Sequence, residues 1–131
     1  MFKEIEHVHI TTSNLEESVK FYTEVLGFKV HEKLIINNRG ISEVAHLNLN
    51  NSRLELIEIK NAAPVPEKPQ VGYSMMALIV EDMEEAINHL NANNVKITRE
   101  PKSMSDEKRG GFRGEFQDNN GVTIEIRQLG K

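Results

Sequence analysis

Apolar and polar residues alternate over residues 7–12, so a strand there would place His7, His9 and Thr11 on one face and Val8 and Ile10 on the other. The period then changes. Leu15, Val19, Tyr22 and Leu26 recur at helical spacing, Asn14 with Glu17 makes a capping box ahead of them, and Gly27 stops the helix. Val8 and Ile10 are expected beneath Val19 and Tyr22, which leaves both imidazoles on the face turned away from the helix. Strands are expected over 28–36, 42–49 and 53–59, separated by turns at Asn37–Gly40 and Asn50–Ser52. In the last of these, Leu54 and Leu56 share one face while Arg53, Glu55 and Ile57 share the other.

Pro64, Pro66 and Pro69 fall within six residues, so 60–70 reads as a linker between residues 1–59 and 71–131. Beyond it the order repeats. An apolar strand is expected over 74–80; Asp82 and Glu85 form a second capping box; Met83, Ile87 and Leu90 make the helical stripe; Asn93 and Asn94 end it. A short strand over 95–99 and a polar loop over 101–111, a candidate flap, lead to a hairpin of 112–117 and 122–128 turned at Asn119–Gly121. The halves register, with Asn14–Glu17 on Asp82–Glu85, Leu54-Glu55-Leu56 on Ile124-Glu125-Ile126, and His7 on Met75. The expected fold is α+β: one domain of two βαβββ modules, whose curved mixed sheets pair around a central cavity. Strand parity points His7, His9, Glu55, Thr123 and Glu125 into that cavity. His46 either lines it or is a hydrogen-bonded core histidine. His31 and His89 read as surface residues, and Met75 and Met76 as core filler.

Composition narrows the function. The chain has 131 residues, 38% of them hydrophobic, enough for the core of one compact domain. A net charge of −4 argues against a nucleic-acid or anionic-membrane partner, which would need a basic face. The run Lys108–Arg113 is either a small anion site or, the commoner case, a charged loop. No cysteine is present, so disulfides, thiolate catalysis and sulfur-rich zinc sites are excluded. No leader-like or membrane-length apolar run is found, and a cytoplasmic location is expected.

His7, the stretch Asn14–Ser18, Phe21-Tyr22, Leu26-Gly27-Phe28, Leu54-Glu55-Leu56 and the closing Asp118–Gly121 ahead of Ile124-Glu125-Ile126 carry a resemblance that spans nearly the whole chain. The chain resembles the vicinal oxygen chelate superfamily, which holds glyoxalase I, methylmalonyl-CoA epimerase, extradiol dioxygenases and the bleomycin- and fosfomycin-resistance proteins. That resemblance implies metal ligands at His7, Glu55, Met75 and Glu125. Three suit a divalent ion such as zinc, nickel, cobalt, manganese or iron. The thioether of Met75 does not, so the ion is expected to be weakly held or absent unless His9 replaces it. Thr11 stands where glyoxalase I enzymes have a basic residue for glutathione, which argues against a glutathione substrate. The implied function is a lyase or isomerase that uses the ion to bind vicinal oxygens of a small substrate, with Glu125 or Glu55 as base. The alternative is a resistance protein that binds a toxin or antibiotic without turnover; an iron dioxygenase, lacking a histidine at Met75, ranks last. Thr11, His46, Met75 and Thr123 would line the cavity beside His9. A homodimer is also implied.

Overall fold

The computed structural model describes residues 1–104 and 111–130. By contact the chain divides into two compact units, Met1–Pro64 and Val65–Lys131. No helix among the described residues is long and apolar enough to cross a membrane.

The first unit holds β1 (Val8–Thr12), α1 (Leu15–Lys20), β2 (Lys29–Asn38), β3 (Ile41–Leu49) and β4 (Ser52–Glu58). Its sheet runs in the order β1-β4-β3-β2, with β1 parallel to β4 and the other pairs antiparallel. Asn14 caps α1 by accepting from the Glu17 amide at 3.1 Å, as the capping box predicts. The Leu15 amide donates to Glu58 Oε2 at 2.8 Å, so the helix start is tied to the end of β4. Leu15, Tyr22, Leu47, Leu54 and Leu56 form the core between helix and sheet.

The second unit repeats the plan with β5 (Ala77–Ile79), α2 (Met83–Ala92), β6 (Ile97–Ser103), β7 (Gly111–Gln117) and β8 (Thr123–Leu129). The sheet order is β5-β8-β7-β6. Asp82 caps α2 through the Glu85 amide at 3.0 Å, and the Met83 amide donates to Gln128 Oε1 at 2.7 Å. Gln128 thus does for α2 what Glu58 does for α1. Met83, Leu90, Phe116, Ile124 and Ile126 are the core. The internal registers agree as well: His9 pairs with Glu55 as Ala77 pairs with Glu125, so Met75 occupies the place of His7.

Several boundaries differ from those the pattern predicts. The first helix does not run regularly to Leu26. After Lys20 it widens into a π-helical turn, Phe21–Val25, where the Leu26 amide reaches back five residues to Phe21 and Thr23 Oγ1 donates to the Val19 carbonyl at 2.7 Å. The strand expected over 74–80 is ordered as a strand only at Ala77–Ile79. The strand expected over 95–99 runs instead from Ile97 to Ser103, through Pro101, because it is the sheet edge and the register slips between Arg99 and Lys102. Residues 101–103 therefore leave the expected flap. Residues 105–110 of that flap, with Lys108, Arg109 and Gly110 of the basic run, lie outside the described residues.

Candidate functional site

On the face of the first sheet turned away from α1, one carboxylate meets three imidazoles. The register sets His9, Glu55 and His46 side by side across β1, β4 and β3, and His7 precedes β1 two residues before His9. Leu54 and Leu56 are buried on the opposite face and fix the strand, so Glu55 has one direction left to point. Its Oε2 lies 3.1 Å from His7 Nε2, 3.5 Å from His9 Nε2 and 3.5 Å from His46 Nε2. The carboxylate is well covered, its side chain only 15% exposed, whereas the His9 ring is 54% exposed and leaves the group open to solvent. The rings of His7 and His9 stack with centroids 4.6 Å apart, and their Nε2 atoms are 2.6 Å from each other.

Around this group lies a polar surround. Glu6 Oε2 meets His7 Nδ1, and Glu6 Oε1 accepts from Arg53 Nη1 at 3.0 Å. Arg53 Nε donates in turn to Asn48 Oδ1 at 3.2 Å. The hydrogen bond from His7, helped by the charges of His7 and Arg53, holds the exposed Glu6 carboxyl below the usual carboxylate range. On the far side, His46 Nδ1 lies 3.9 Å from Glu32 Oε2.

The donor set suits a divalent cation. His7, His9 and Glu55 offer two imidazole nitrogens and a carboxylate oxygen within 4.8 Å of one another. Two histidines spaced i, i+2, one on β1 and one just ahead of it, with a carboxylate from the neighbouring strand, match the three-ligand, open-position pattern of catalytic sites for zinc and similar ions. Thr11 continues the same face, exposed and paired with Ile57.

The other expected site residues belong to the second unit. Glu125 on β8 is flanked by guanidinium groups, with Arg113 Nε 3.3 Å from Oε2 and Arg127 Nε 3.6 Å from Oε1. Its cross-strand neighbour Glu115 is buried and paired with Arg99 at 2.6 Å. Glu55 thus sits among imidazoles and Glu125 among arginines. Met75 is half-buried just ahead of β5, and Thr123 opens β8 opposite Gln117. The residues that sequence reasoning passed over are Glu6, Asn48, Glu32, Arg99, Glu115 and Arg127; Arg113, read there as part of a charged loop or anion site, lies in β7 and pairs with Glu125. Arg53 carried a signal, since parity places it on the face of Glu55.

The model of the Glyoxalase/Bleomycin resistance protein/Dioxygenase superfamily matches residues 4–126. The chain is 32% identical over 98 residues to a protein of Dictyostelium discoideum named mitochondrial methylmalonyl-CoA epimerase, a match that takes in 71% of this chain and 58% of that protein's length. It is 26% identical over 135 residues to the mouse protein of the same name, covering 95% of this chain and 72% of the other. Among solved structures, the glyoxalase family protein from Enterococcus faecalis is similar with a TM-score of 0.84 and 29% identity, over 97% of this chain and 98% of that one.

Proposed function

The chain belongs to the Glyoxalase/Bleomycin resistance protein/Dioxygenase superfamily, and from that premise we propose that it is a divalent-metal-dependent isomerase that moves a proton next to a carbonyl of a small, oxygen-rich substrate. One observation carries the reading: Glu55 Oε2 stands within 3.1–3.5 Å of three imidazole nitrogens on an open sheet face. A largely covered carboxylate surrounded by imidazole nitrogens and left open to solvent on one side is poorly explained by stability alone.

His7, His9 and Glu55 are the residues assigned to hold the ion. When bound, such an ion polarises a carbonyl and offsets the negative charge that proton removal creates. The remaining work falls to the chain. A carboxylate takes the proton from the carbon beside the carbonyl, and a proton from water is delivered to the opposite face, so configuration changes while the composition of the substrate does not. Glu55, displaced from the ion, is the carboxylate assigned to removing that proton. Epimerase relatives support isomerisation over lyase chemistry, and Thr11 argues against glutathione adducts as substrates. The same reading includes a homodimer.

The test is exchange with solvent. Protein loaded with cobalt, nickel or zinc is incubated in D2O with a 2-branched acyl thioester such as methylmalonyl-CoA, and loss of the α-proton is followed by NMR. Metal-dependent exchange that disappears in Glu55→Gln is expected. Tight binding of thioesters or antibiotics with no exchange on any of them would replace this reading with that of a binding protein.

A further inference from the structure

We propose, building on the reading that His7, His9 and Glu55 hold a divalent ion, that Glu6 is a positioning residue: it fixes the tautomer and direction of His7, and Arg53 and Asn48 fix Glu6. The link runs through three polar contacts. Asn48 on β3 accepts from Arg53 Nε at 3.2 Å; Arg53 Nη1 donates to Glu6 Oε1 at 3.0 Å; Glu6 Oε2 faces His7 Nδ1. Arg53 and Asn48 are direct cross-strand partners, so the far end of the chain is set by the sheet itself. Arg53 lies two residues before Glu55 on the same strand, and therefore on the same face. The rigid sheet thus reaches the ligand group twice, once through Glu55 and once through Arg53 and Glu6.

Chemistry gives this arrangement a purpose. A neutral imidazole carries one proton, on Nδ1 or on Nε2. A carboxylate can only accept, so Glu6 keeps the proton on Nδ1 and leaves the lone pair on Nε2. That nitrogen points at Glu55 Oε2, 3.1 Å away, and at His9 Nε2, 2.6 Å away. A ligating histidine is commonly oriented in this way by a carboxylate on its other nitrogen, and losing that partner typically costs about 10–100-fold in metal affinity. As a stabilising contact, by contrast, an exposed Glu–Arg pair contributes little. Glu6 is 63% exposed at its side chain, so orientation of His7 explains its place better than packing does.

Two measurements on the full chain test the proposal, with Glu6→Ala, Glu6→Gln and Arg53→Gln compared with Glu4→Ala, which removes a neighbouring charge only. Long-range 1H–15N spectra of the metal-free protein at alkaline pH read the His7 tautomer, and calorimetric titration with zinc reads affinity. The wild type is expected to show the Nδ1–H form. Glu6→Ala is expected to shift His7 toward Nε2–H and weaken zinc by roughly 10–100-fold with Tm close to wild type. Arg53→Gln should give a smaller loss, and Glu6→Gln, whose amide oxygen can still accept, a partial rescue. Glu6→Ala with tautomer and affinity unchanged, or no weaker than Glu4→Ala, overturns the proposal. A wild type that takes up no zinc overturns the metal reading itself; the tautomer spectra, recorded without metal, then decide the positioning of His7 on their own.

Discussion

Glu55 shows how far a single position can be read from its neighbours. A charge between Leu54 and Leu56 in a strand with two buried leucines has only one face to occupy, and the alternation states which. His7 and His9 follow from the same parity one strand away, so the pairing of His9 with Glu55 was the missing piece, not the residues. Glu6 was not legible. It lies before β1, outside the alternating run, and its role depends on which residue of β3 faces Arg53, a register that no local pattern contains. If Glu55 is the anionic ligand, Glu55→Gln keeps the shape and removes the charge that two imidazoles alone cannot supply. Zinc affinity in calorimetric titration is then expected to fall further than in any Glu6 variant, by more than about 100-fold. Equal loss in Glu55→Gln and Glu6→Ala would mean that Glu55 acts from outside the ligand set.

At the level of elements, strong local signals held and boundaries moved. Both helix caps, at Asn14 and Asp82, are made where the spacing predicts, because the cap side chain and the Glu17 or Glu85 amide that donates to it lie within one turn. The π-helical turn at Phe21–Val25 leaves no mark in the apolar pattern, because the Thr23 hydroxyl that competes for the Val19 carbonyl leaves the spacing of Tyr22 and Leu26 almost unchanged. Pro101, expected at the start of the polar loop, sits within β6 because an edge strand tolerates a missing donor. The hairpin of β7 and β8 supplies a sharper test. Gly111 has φ +84°, and a Cβ there would meet the Gln128 carbonyl oxygen at 1.9 Å, whereas Gly40, at φ +78°, has nothing within 4 Å of a Cβ. Alanine at either place carries the left-handed strain of about 1–2 kcal/mol. Only Gly111→Ala must also push two strands apart, so chemical denaturation is expected to show it clearly less stable than Gly40→Ala. Equal losses would mean that β8 is free to move away from β7.

Across the whole molecule, the repeat is what made the fold legible and what sets the limit of that legibility. Two sheets of equivalent order, helices pinned at their starts by Glu58 and Gln128, and matching registers at Glu55 and Glu125 all follow from one pattern used twice. The pattern cannot reveal that the two carboxylates have different partners, imidazoles for Glu55 and guanidinium groups for Glu125, because the repeat matches caps, helix stripes and strand order while the polar residues facing each carboxylate differ between the halves. Each four-stranded sheet also ends on a long edge. β2 is ten residues long, exposed throughout, and shows Val30 at 44%, Ile35 at 77% and Ile36 at 40% exposure. Among the described residues its one ladder partner is β3. Native proteins rarely leave an edge of this length and apolar content in water, and β2 carries only Lys29, Glu32 and Lys33 as charged guards. A second copy of the chain is the occupant expected by the homodimer reading. Sedimentation at about 10–50 μM is expected to give twice the chain mass, a range in which interfaces of ordinary size are stable. Ile35→Lys, placed on the edge and outside the histidine group, should shift the protein toward monomer while leaving zinc affinity unchanged. A wild type that sediments as a monomer over that range would remove the dimer from the reading.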